Sequence, residues 1–142
     1  MSDTTIASET ADLVDQSPLV SRAREAYTLL LLGFGTAPIL AGLDKFFYFL
    51  VDWDKYVAPF AENMVGDPTT FMLIVGVIEI AAGVGIWLKP RIFSYVVAAW
   101  LGGIILNLLL IPGFFDVALR DLGLLLGALA LARLSGAVHS QD

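Results

Sequence analysis

An all-α integral membrane fold, a four-helix bundle running up-down-up-down with both termini cytoplasmic, is what the sequence predicts. Three observations carry it: an apolar composition, four long stretches almost free of charge, and a basic bias in the segments on one side of them. Hydrophobic residues make up 58% of the 142 and the mean hydropathy is +0.81, above the level of a water-soluble domain. Crossing about 30 Å of hydrocarbon takes roughly 20 helical residues, and nearly uncharged runs of that order recur along the chain.

The first crossing is expected over about 26–50, uncharged from 26 to 43, with Pro38 kinking it by freeing a carbonyl near mid-membrane. The second, 69–88, holds only Glu79, and the third, 92–111, holds no charge. The fourth, 117–134, carries Arg120, Asp121 and Arg133, the arginines reaching the two headgroup layers by snorkelling. Pro90 in the Lys89-Pro90-Arg91 turn cannot continue a helix, so the second and third crossings form an antiparallel hairpin. Pro112-Gly113 closes the third and makes a second hairpin with the fourth. Small residues at four-residue spacing (Gly33, Ala37 and Ala41; Ala81 and Gly85; Ala98 and Gly102; Gly123 and Gly127) let helix backbones approach closely in lipid.

The connections differ in character. Residues 1–25 form a polar, acidic tail with Asp3, Glu9, Asp12 and Asp15, expected to be mobile alone and ordered only against a partner. It lacks the basic start and apolar core of a secretory signal, so the first helix is expected to be retained. In the outer connection, 51–68, Trp53, Tyr56, Val57, Phe60 and Met64 recur at three- and four-residue spacing. Two readings fit: a short amphipathic helix at the interface, restarted at Pro59, or an irregular aromatic-belt loop. Trp53, Tyr56, Phe60, Trp87 and Tyr95 are the expected interfacial anchors. Residues 136–142 form a C-terminal tail. Arg22, Arg24, Lys89, Arg91 and Arg133 all fall on one side, which the positive-inside rule makes cytoplasmic. A multi-pass protein of the cell (inner or plasma) membrane follows, with the lipid bilayer as its surroundings.

Composition also excludes classes. A net charge of −6 argues against nucleic-acid binding and against a polybasic lipid-binding tail. The chain has no cysteine, and its one histidine is His139 in the C-terminal tail. Disulfide relay, covalent haem attachment and a histidine-based metal site within one chain are excluded, so no metal site is expected and any redox cofactor is organic or held by a partner.

The polar residues of the crossings stand out against this background. Asp44 and Lys45 near the outer end of the first helix, Asn107 near the outer end of the third, and Arg120 and Asp121 at the start of the fourth share one half of the membrane. Glu79 lies near the midplane. Charges in hydrocarbon are costly unless paired, so these side chains are expected to face inward, with Glu79 protonated or tightly paired. One reading is a structural ion-pair network locking the register. The other is a ligand pocket, with Lys45, Arg120 and Asn107 donating to oxygens, Glu79 exchanging a proton, and Tyr48, Trp53 or Trp100 as an aromatic wall, suited to a quinone head or a small anion.

The segments GLDK at 42–45, IEIAAGVGIWL at 78–88 and LRDLGLLLGALALARL at 119–134, with the aromatic outer loop and the KPR turn, resemble the DoxX-like four-helix membrane proteins over about 26–135. Gly42, Lys45, Glu79 and Gly83 carry the pattern. The resemblance implies a small membrane subunit, free of side-chain-bound metal, that is an accessory to or anchor of a respiratory or redox complex, with other membrane subunits or its own copies as partners. It also implies an alternative, a quinone-interacting subunit of an oxidoreductase acting on a sulfur oxyanion such as thiosulfate. Lys45 and Glu79 are then the positions in contact with substrate or quinone.

Overall fold

The computed structural model describes residues 2–139, and those residues are helical and turn structure without a strand. Five α-helices follow in order: α1 (Ser2–Phe47), α2 (Pro59–Val65), α3 (Pro68–Leu88), α4 (Pro90–Leu109) and α5 (Phe115–His139), with one 3₁₀ turn at Asp54–Tyr56. Among the described residues, three helical segments are long and apolar enough to cross a membrane: Pro18–Phe47, Pro68–Leu88 and Pro90–Leu109. Their outward surface agrees with that, since Leu29, Leu40, Leu88, Ile92 and Leu106 are all exposed. Such a surface suits lipid rather than water.

Local chemistry sets the ends. Helix α1 runs through both Pro18 and Pro38 and stops where Tyr48 adopts a left-handed φ of 51°, three residues short of the expected boundary. The carboxylate of Asp44 makes that stop, because its Oδ1 accepts the N–H groups of Phe49 and Leu50 at 3.0 Å each, which α-helical continuation would need for itself. The acidic N-terminal segment and the first span share this one helix. In the outer connection α2 begins at Pro59 and ends at Gly66, whose φ of +85° is the left-handed cap that glycine adopts without a Cβ clash. Asp67 then caps α3, accepting from the backbone N–H of Thr70 at 2.8 Å. A single residue, Lys89, separates α3 from α4, and Pro90 opens the new helix.

Helix α1 packs against α3 and α5, and α4 against α5 and α3. The α1–α3 seam is tight: a Cβ placed on Gly42 would stand 2.5 Å from the carbonyl oxygen of Gly76, and one on Gly83 2.9 Å from that of Gly35. Two apolar clusters form between the helices. One gathers Ala82, Ile86, Val97, Ala98, Ala128 and Leu131; the other joins Val57, Met72 and Val75, with Trp53, Tyr56, Phe71 and Trp100 packed on it.

Candidate functional site

Between the two clusters lies a cavity of about 830 Å³, reached by all four long helices and by the segment that follows α1. Its apolar wall includes Phe34, Met72, Val75, Ala82 and Val97, and its polar groups are Lys45, Glu79, Asn107 and Asp121 with the rings of Trp53, Tyr56 and Trp100. Four of the six residues expected to converge therefore meet at one space.

Lys45 and Glu79 are its centre. Lys45 lies one turn beyond Gly42 on α1, so the close approach of Gly42 to Gly76 brings its stem over α3. Its Nζ reaches Glu79 Oε2 at 2.6 Å, with side-chain exposures of 3% and 13%. The ammonium also lies 3.7 Å from the centroid of the Trp53 ring and 3.5 Å from the carbonyl oxygen of Ala41. A charge so enclosed requires this many partners, because hydration is lost. The ring face adds attraction for the cation.

Asp44 sits beside Lys45 in sequence yet serves the neighbouring loop. Besides the two backbone N–H groups it accepts Trp53 Nε1–H at 2.7 Å, which holds the indole over Lys45. Trp53 and Tyr56 thus turn toward the cavity, Tyr56 meeting Phe114 edge-on at 5.0 Å. Phe60, Trp87 and Tyr95 remain exposed. Asn107 is a clamp: its Nδ2 donates to the carbonyl of Tyr56 at 2.7 Å and its Oδ1 accepts the N–H of Ala58 at 3.1 Å. Arg120 stays outside, 73% exposed and paired with Asp116 at 2.8 Å across one helical turn. Asp121, next along α5, lines the cavity.

A second polar knot escaped the sequence reading. Tyr48 donates to Asp54 Oδ1 at 2.6 Å and Thr69 to Asp54 Oδ2 at 2.8 Å, tying the end of α1 to the start of α3. Burial, followed by the hydrogen bond to Asp54, pushes the Tyr48 phenol up to about 12. The backbone N–H and then the hydroxyl of Thr70 hold the Asp67 carboxyl below its usual range. The signals for this knot, an Asp in a tight turn and a Thr in the first turn of the next helix, are too common to single out.

No family model, curated protein or solved structure matches the chain.

Proposed function

We propose that the chain is a DoxX-like four-helix membrane protein, up-down-up-down with both termini cytoplasmic, that serves as an accessory or anchoring subunit of a membrane respiratory or redox complex. The observation that carries this reading is that Lys45, Glu79, Asp44 and Asn107 each find their partners within the chain. Lys45 is spent on Glu79, Asp44 on the loop backbone and Trp53, and Asn107 on Tyr56 and Ala58. Such an arrangement braces helices and loop. The positions behind the resemblance also act together, Gly42 and Gly83 along the α1–α3 seam and Lys45 and Glu79 across it. At 46 residues, α1 is about 69 Å long at 1.5 Å per residue, more than twice the roughly 30 Å of hydrocarbon, which leaves an arm for contact with other subunits. Gentle detergent extraction from the native membrane followed by mass spectrometry tests the proposal. Redox subunits in fixed stoichiometry support it, and isolation of the chain alone sinks it.

The cavity favours a second reading, a membrane subunit that holds a quinone ring. A space of about 830 Å³ lies within the range of ligand sites. A sulfur oxyanion in the same place fits less well, because two carboxylates face one ammonium there. In this reading the paired change Lys45→Met with Glu79→Leu keeps the fold and loses quinone, and quinone retention by that variant counts against it.

A further inference from the structure

Each polar group on the cavity wall is either committed to another part of the chain or is not. Lys45, Glu79, Asn107 and Trp53 are committed. Two others are not so committed. Among the described residues, the Nε1–H of Trp100 on α4 is buried and has no acceptor, and the carboxylate of Asp121 on α5 forms no ion pair or hydrogen bond. Its neighbour Arg120, the obvious cation in sequence, is drawn away to Asp116. The wall therefore carries two carboxylates against one ammonium, and that ammonium is already held. The rest of the lining is apolar and aromatic, including Phe34, Phe71, Tyr56 and Trp53.

The chain itself displays how such a wall holds a positive charge. Lys45 Nζ sits 2.6 Å from a carboxylate oxygen and 3.7 Å from an indole centroid, the combination of charge and ring quadrupole that suits ammonium groups away from water. Asp121 and Trp100 add a second carboxylate and a second indole to the same cavity, and among the described residues no cation stands in salt-bridge contact with Asp121, the charge of Arg120 acting on it only from a distance while paired with Asp116. We propose that this cavity is a binding site for a lipophilic organic cation bearing an oxygen acceptor, with Asp121 facing the positive centre, Trp100 Nε1–H donating to the oxygen, and the aromatic wall covering the apolar body. A small oxyanion is repelled by the same balance of charge, and a neutral ring leaves Asp121 without a partner. The site stands whether or not the protein docks in a larger assembly, and co-purification tests that separate question.

Two probes of similar shape divide the two recognition elements. Methyltriphenylphosphonium carries the charge without an acceptor; triphenylphosphine oxide carries the acceptor without the charge. Each is measured by equilibrium dialysis against the full chain in nanodiscs, with empty nanodiscs subtracted. The native protein is expected to bind the phosphonium about tenfold or more tighter than the oxide, as an ion pair shielded from water requires. Asp121→Asn is expected to erase that preference, Asp121→Glu to keep it, and Trp100→Phe to weaken the oxide alone. Equal binding of both probes by the native protein overturns the proposal, as does a preference for the phosphonium that survives Asp121→Asn. If Asp121→Asn does not fold, the preference of the native protein decides alone. Saturable binding of a short-chain quinone with no phosphonium binding overturns the proposal in favour of the neutral ring.

Discussion

Lys45 and Glu79 show at the scale of single residues how a membrane interior treats charge. Each neutralises the other, so removing one strands its partner in apolar surroundings. Lys45→Met or Glu79→Leu alone is expected to cost about 3–5 kcal/mol, whereas the double change, which removes both charges, should restore most of it; thermal unfolding in detergent reads both. Tyr48 and Asp67 give pH signatures of opposite sign. The phenol of Tyr48 is raised from 10.0 to about 12 on folding, so its contribution is complete below pH 10 and fades as pH rises through about 12. The alkaline fall in melting temperature should shrink in Tyr48→Phe. Asp67 is lowered from 3.8, so its contribution is present above that value and disappears as pH falls through the lower folded one. Asp67→Ala should flatten the acid limb of the same curve. That Lys45 and Glu79 needed partners was legible because charge is rare in a span; the contacts of Tyr48 and Asp54 were not, because their types are ordinary in a loop.

At the scale of elements, glycine spacing and glycine contact are different properties. The four-residue spacing drew attention to Gly33, yet a Cβ there meets nothing within 4 Å, while Gly42 and Gly76 face each other's carbonyl oxygens. Gly42→Ala must part the backbones of α1 and α3, at about 1–3 kcal/mol, and Gly33→Ala should be tolerated; melting temperatures of the two variants separate them. The outer connection depends on Asn107 in the same way. Asn107→Ala leaves the Tyr56 carbonyl and the Ala58 N–H without partners, costing about 1–3 kcal/mol, and faster hydrogen exchange at Ala58 is the local readout. Hydropathy placed stretches at 69–88 and 92–111, and helices run over Pro68–Leu88 and Pro90–Leu109, since prolines mark both starts. It placed the first end at residue 50 because Phe49 and Leu50 are apolar, and it had no means of seeing that the Asp44 side chain takes their N–H groups.

For the whole molecule, the distribution of lysine and arginine leads to a topology that direct labelling tests. The chain has no native cysteine, so single replacements report cleanly. With a membrane-impermeant maleimide on intact cells, Asp52→Cys should be labelled, and Ser21→Cys only after lysis. Labelling of Ser21→Cys in intact cells would reverse the orientation.

Composition and periodicity by themselves determined that the chain is helical and apolar enough for a bilayer, because hydropathy and proline punctuation are local properties read within a turn or two. They also marked which charges needed partners. The choice of partner belonged to the tertiary structure: Lys45 with Glu79 across the Gly42–Gly76 contact, Asp44 with its own loop, Arg120 outward to Asp116, and Asp121 with Trp100 facing one cavity. Pairing depends on how helices rotate and approach in three dimensions, and neither angle nor distance is written into the spacing of residues along one chain.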